Sequence, residues 1–294
     1  MSTASVRYVS SDENSARWER FPFRDGDIVV SARSKSGTTW VQMICALLVL
    51  GSPRLPAALS DLSPWLDHSI EPVEDVVGRL ERQQHRRFVK THTPLDGLPL
   101  DPRATYVVVA RHPLDMAVSL YHQGDNIDRE RLRQLTGQPP QAPPPPRPPL
   151  HDWLLAWIDR EVSPVEAMDS LPGVLHHVSD AWSRRHGPNV VLVHYADLLA
   201  DLEGQMRRLA DRLRITVPEP AWPGLVGAAT FEAMRERAAT LTPNRMGVLK
   251  DDRAFFRTGR SGAGDELLNE EERRRYHRRA AELAPPDVLE WLHR

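Results

Sequence analysis

The chain is predicted to form a single α/β domain of three layers, a parallel β-sheet with helices on both faces. Three observations carry that expectation. Several short apolar runs lack the strict alternation of a half-exposed strand, as strands buried on both faces do. Helical stretches separate these runs one by one, the arrangement that parallel strands require. The 294 residues suffice for one large core. The domain is expected over residues 21–294, behind an N-terminal tail of residues 1–20.

Asp27 to Arg33 reads as the first buried strand and Thr38 to Leu50 as an apolar helix. Arg87 to His92 and Thr105 to Ala110 are two further strands. A helix is expected from Pro113, a residue type favoured in the first helical turn, to Gln123. Asn189 to Tyr195 gives a fourth strand, followed by a helix from Asp197 to Arg214. The segment 138–149 holds eight prolines in twelve residues, which excludes helix and central strand. It reads as an extended or disordered surface insertion, in preference to a docking site for a proline-binding module. The same strand and helix signals continue beyond it, so it is not a domain linker.

Composition limits the function. A formal net charge of −2 and a pI near 6.6 give no global attraction to nucleic acid or anionic membranes. An anionic ligand would need a local basic pocket. A single cysteine, Cys45, excludes an internal disulfide and sits in an apolar run, where a buried structural thiol is the better reading than a nucleophile. The polar N-terminus lacks the apolar centre of a signal peptide, and the longest apolar run is too short to span a bilayer. The expected setting is the cytoplasm. Oligomeric state is not legible.

Among 38 basic residues only three are lysine: Lys35, Lys90 and Lys250. Where arginine has replaced nearly every lysine, a retained one suggests a place that needs a compact point charge. Lys35 lies in Ser34-Lys35-Ser36-Gly37-Thr38-Thr39-Trp40, a tight turn between strand and helix. Free backbone N–H groups at a helix start bind anions, and Ser36, Thr38 and Thr39 add hydroxyl donors. The plainer alternative, Thr38 or Thr39 merely capping the helix, leaves the lysine unexplained. The turn lacks Walker spacing, because its lysine precedes the glycine by two residues, which disfavours an ATP or GTP site with Mg²⁺.

Lys35 to Trp40 closely resembles the 5′-phosphosulfate loop of the cytosolic-type sulfotransferases that use 3′-phosphoadenylyl sulfate (PAPS). The likeness covers roughly residues 21 to 294 in the family's order of motifs, outside the proline-rich insertion and the region from Leu55 to Arg82. It implies the P-loop-like three-layer fold and a tryptophan, Trp40, packed on adenine. It also assigns roles to the other motifs. Lys90-Thr91-His92 ends the second strand, where ligands of parallel sheets collect. A lone histidine is ordinarily a packing residue, but the resemblance makes His92 the general base, with Lys90 beside the transferred group.

Arg111 and Ser119, eight residues apart, match the family's 3′-phosphate pair, against the alternative of an Arg111–Asp115 ion pair. Arg257-Thr258-Gly259 resembles its second 3′-phosphate loop, with Thr258 where lysine is usual and Glu266 where a tryptophan often stands. Tyr195 and Phe231 match adenine-side aromatics more loosely.

The implied reaction is in-line transfer of a sulfuryl group from PAPS to a hydroxyl or amine, leaving adenosine 3′,5′-bisphosphate (PAP). The sulfuryl group carries less charge than a phosphoryl group, so lysines and N–H groups stabilise it with no metal required. Phe21, Phe23, Trp65 and Leu66 are the expected lining of an apolar acceptor pocket, favouring a hydrophobic alcohol or phenol over a sugar. No nucleic-acid or membrane partner is implied. Two rival readings remain: a P-loop phosphotransferase, whose Walker lysine and Mg²⁺ carboxylate are not found, and a non-catalytic PAP-binding relative, which Thr258 and Glu266 give some support but the retained Lys35, Lys90, His92, Arg111 and Ser119 argue against.

Overall fold

The computed structural model describes residues 5–139 and 146–294. Four strands, β1 (Ile28–Ser31), β2 (Phe88–Thr91), β3 (Thr105–Ala110) and β4 (Val190–His194), form one parallel sheet in the order β2-β1-β3-β4. Ile28 pairs with both Phe88 and Thr105, and Ala110 pairs with His194. The chain leaves β1 toward β2 and returns across it to β3. That reversal opens a crevice at the carboxyl ends of the strands, where open α/β sheets bind ligands.

Successive strand residues point to opposite faces, and the core divides accordingly. Ile28, Val30, Val107 and Val109 pack with helix Thr38–Leu50 and with Met206, Trp222 and Leu225. Val29, Val89, Tyr106 and Val108 pack with Trp18, Leu80 and Ala181 on the other face. Helices Leu150–Asp159, Leu171–Ser183 and Glu270–Leu283 close a third cluster around Leu114 and Met116. Helix Thr38–Leu50 is buried almost all round, and burial pushes the Cys45 thiol up to about 12.

Three expectations need revision or fall outside the described residues. Residues 5–20, read as a tail, pack onto the domain: Trp18 joins the core, and the Tyr8 hydroxyl meets Asp96 and His176, each at 2.9 Å. Burial of two large aromatics fastens this segment. The single helix expected from Asp197 to Arg214 is two helices, Tyr195–Ala200 and Leu202–Arg212. Asp201 divides them, with extended φ and a side chain that accepts from the Gly204 N–H at 2.9 Å, an alternative to continuing the helix. Most of the proline-rich insertion, residues 140–145, lies outside the described residues.

Candidate active site

All four strands deliver side chains to one cavity of about 430 Å³ at the carboxyl edge of the sheet: Lys35 just beyond β1, Lys90 and His92 at the end of β2, Arg111 after β3 and Tyr195 after β4.

The turn after β1 is built on two residues with left-handed backbone, Lys35 (φ 65°) and Gly37 (φ 105°). A Cβ at Gly37 would stand 2.9 Å from the Tyr195 ring, so both backbone and space require glycine there. Gly37 is also the helix cap, and no side chain bonds the first-turn N–H groups. Capping by Thr38 or Thr39 is therefore not their role, and both border the cavity. Ser36 is buried within the turn, its N–H donating to the Arg33 carbonyl at 3.2 Å. Lys35 Nζ lies 3.8 Å from the centre of the Phe255 ring and 3.3 Å from Gln123 Oε1. Burial, with Arg111, Lys90 and Arg257 nearby, pushes its ammonium down to about 7.

His92 is held by its own strand end. Its Nδ1 hydrogen-bonds the Ala32 carbonyl. A carbonyl only accepts, so Nδ1 carries the proton and Nε2 keeps its lone pair. Burial, then the charges of Lys90 and Arg33, hold His92 well below the usual imidazole range. The neutral, base-competent form therefore dominates near neutral pH. Trp65 meets this ring edge-on at 4.6 Å, and Lys90 Nζ sits 4.0 Å over the same indole. Burial brings Lys90 down to about 8, although Glu13 and Asp67 oppose the shift.

Arg111 bridges two distant segments. One NH2 donates to the Arg260 carbonyl at 2.8 Å, and NH1 approaches the Lys35 carbonyl at 3.4 Å. Its guanidinium lies 4.3 Å over the Tyr195 ring. Asp115 is not its ion-pair partner. That carboxylate accepts instead from the Gly262 and Gly264 N–H groups, at 2.9 and 3.0 Å, and so holds the C-terminal loop. The loop brings Arg257, Thr258 and Gly259 to the cavity, and Ser119 enters from helix Pro113–Asn126. A Cβ at Gly259 (φ 64°) would lie 2.5 Å from the Phe231 ring, which fixes that contact as glycine on aromatic. Arg260 pairs with Glu266 at 3.4 Å and does not line the cavity, so it does not replace the charge that Thr258 lacks.

Trp40, Tyr195 and Phe231 form an aromatic wall. Trp40 donates to the Ala229 carbonyl at 2.8 Å and meets Tyr195 edge-on at 5.3 Å. The expected acceptor lining is largely corrected. Phe21, Phe23 and Leu66 pack with Trp18 beneath the sheet, and only Trp65 of the four reaches the cavity. Apolar lining comes from Ile127, Leu132 and Leu249 instead.

Two positions that shape the cavity escaped the sequence reading. Arg33 is buried, donates to the His92 carbonyl and to Asp169 (2.8 Å), and so fixes the segment that carries the imidazole. Its one signal was a charged residue at the end of an apolar run. Glu13 borders the cavity from the supposed tail and had no signal at all.

Among the described residues no group of three or more His, Cys, Asp or Glu side chains could hold a metal ion. Among them, too, no helix is long and apolar enough to cross a membrane.

Comparison with known proteins agrees with this architecture. The chain is 43% identical to a glycolipid sulfotransferase of Mycobacterium bovis (strain BCG / Pasteur 1173P2), over 99% of this chain and 95% of that one. A glycolipid sulfotransferase of Mycobacterium tuberculosis (strain H37Rv) is 42% identical at the same coverage. The crystal structure of retinol dehydratase with retinol and PAP superposes with a TM-score of 0.68 at 22% identity, covering 97% of this chain and 90% of that one. A mouse sulfotransferase complexed with PAP also gives 0.68, at 19% identity, covering 95% and 92%. The family model of the sulfotransferase domain matches residues 25–284, nearly the whole of the fold just described, and the chain belongs to the sulfotransferase family.

Proposed function

We propose that this sulfotransferase moves the sulfuryl group of PAPS to a hydroxyl of a small amphiphilic acceptor, with His92 as general base. One observation carries the reading. Lys35, Lys90, Arg111 and Arg257 share a cavity, and none of the four is ion-paired among the described residues. Nε of Arg111 and Nε of Arg257 are buried with no hydrogen-bond partner among those residues. Cations gathered without ion-pair partners favour an anion among them, and a nucleotide that carries both a phosphate and a phosphosulfate supplies one.

In this reading Arg111, Arg257 and Ser119 hold the 3′-phosphate, and the aromatic wall takes the adenine. The turn Lys35–Thr39 holds the 5′ end, and PAPS supplies the activated sulfuryl group. His92 Nε2 accepts the proton of the attacking hydroxyl. Lys35 and Lys90 meet the charge that develops on the transferred and leaving oxygens. The relatives named glycolipid sulfotransferases support an acceptor with both a polar and an apolar part. That departs from the simple alcohol or phenol favoured by the sequence.

PAP is expected to raise the melting temperature strongly, and ATP with Mg²⁺ only weakly. Radiolabelled sulfate from PAPS is expected to appear in an added lipid alcohol or glycoside. Stabilisation by ATP–Mg²⁺ in place of PAP would overturn the assignment.

Binding is also coupled to protons. Free Lys35, held near 7, regains its proton when phosphates enter, because a nearby anion favours the charged amine. At pH 8 PAP binding therefore takes up protons, and affinity declines as pH rises above 7. Titration calorimetry in buffers of contrasting ionisation enthalpy measures the uptake, and identical heats in both buffers would contradict it.

A further inference from the structure

The proposed chemistry uses the cations of the cavity and His92 and leaves one buried acid in its lining unexplained. Glu13 is only 6% exposed, yet it borders the cavity, and its Oε2 has no hydrogen-bond partner among the described residues. The closest cation, Arg33, stands 3.7 Å away with its donors already committed to Asp169 and the His92 carbonyl.

The backbone that carries this carboxyl is anchored. Glu13 donates its N–H to Ser10 Oγ at 3.1 Å, pairs by its backbone with His68, and follows the buried Tyr8 anchor. Burial is the main cause that pushes it up to about 8, so near neutral pH it is largely a carboxylic acid able to donate as well as accept. Ser10, Asp12, His68 and Asp169 add polar groups to the lining of this cavity, and Ile70, Leu132 and Leu249 add apolar ones.

A buried polar atom without a partner is rare in a native protein and calls for a ligand group to complete it. Resting on the sulfuryl-transfer reading above, we propose that Glu13 is the acceptor-reading residue of this enzyme. Its carboxyl hydrogen-bonds a second hydroxyl of the acceptor, beside the one that is sulfated, so that a polyhydroxylated head is selected and its apolar tail lies along the Ile70–Leu132–Leu249 wall. A phenol or simple alcohol would leave this carboxyl unpaired, and sites built to bond a hydroxyl discriminate against analogues that lack it.

The test compares octyl glucoside with octanol as acceptors, below the micelle concentration, in the wild-type chain and in E13A and E13Q. Wild type is expected to prefer the glucoside in kcat/KM. E13A should lower kcat/KM on the glucoside by about 10- to 100-fold more than on octanol, chiefly through KM, as loss of a hydrogen bond from a buried polar group does. E13Q, which keeps the shape with both a donor group and an acceptor, should recover part of that preference. Equal losses on both acceptors in E13A would mean that Glu13 acts only through Arg33 and the fold, and would overturn the proposal. So would an unchanged preference, or a wild-type enzyme that sulfates octanol and not the glucoside. Transfer to neither acceptor by a wild-type enzyme that still binds PAP would overturn this inference alone, whereas loss of PAP binding as well would count against the sulfuryl-transfer reading.

Discussion

Replacing His92 with alanine is expected to lower turnover by roughly 10²–10⁴-fold, with PAP affinity changed only a few-fold. The base is removed, but none of the groups assigned to the nucleotide is. An imidazole well below its usual range, with Nδ1 tied to the Ala32 carbonyl, offers a lone pair at neutral pH and no charge to hold PAP. The alanine variant also loses the bond to Ala32, so a second variant separates packing from chemistry. In H92N the amide N–H can still donate to that carbonyl, while no basic nitrogen remains. H92N should therefore be nearly as slow as H92A and as stable as wild type. Steady-state transfer of labelled sulfate gives the rate, calorimetry with PAP the affinity, and near-normal turnover in either variant would remove His92 from the chemistry.

The second large effect is expected on binding. R111A should weaken PAP by about 2–5 kcal/mol, the cost of stripping one side from a buried charged pair. Arg111 has two jobs that a single substitution would confuse. Its buried Nε is free for an anion, while NH1 and NH2 hold the Lys35 and Arg260 carbonyls. A nucleotide without the 3′-phosphate distinguishes them. If Arg111 reads that phosphate, R111A should cost far less affinity for adenosine 5′-phosphosulfate than the wild-to-mutant difference seen with PAP. Equal losses for both nucleotides would reduce Arg111 to a brace for the two loops. R111K should remain impaired, because an ammonium cannot serve two carbonyls and an anion with the geometry of a planar fork.

The legible parts of this protein are those written locally. The helix Thr38–Leu50 and strand β3 were bounded correctly because their signals, a glycine turn and an unbroken apolar run, lie within a few residues of each end. Lys35 was legible as a lysine inside a strand–turn–helix start, whereas the roles given to His92 and Arg111 came from the resemblance. All three stand at strand ends, which parallel topology sends to one crevice. The acceptor wall was not legible. Phe21, Phe23 and Leu66 are aromatic or aliphatic, as a pocket would need, but hydrophobicity does not distinguish a pocket from a core, and packing against Trp18 claimed them. Glu13 and Arg33 were missed because their significance arises from partners 59 to 136 residues away: Asp169 and the His92 carbonyl for Arg33, and the pocket itself for Glu13. The helix break at Asp201 depended on one side-chain hydrogen bond that competes with helix continuation, a choice that periodicity does not register.

The clasp between Asp115 and the amides of Gly262 and Gly264 has a consequence for how this enzyme can diversify. Because the carboxylate grips main chain, the path of the loop does not depend on which side chains it carries at 257, 258 or 260. Such a loop can trade one recognition group for another, as threonine for lysine at 258, and still arrive at the same place. This stretch of the cleft is thus a rewritable surface on a frame that Asp115 and Arg111 keep in register through its main chain.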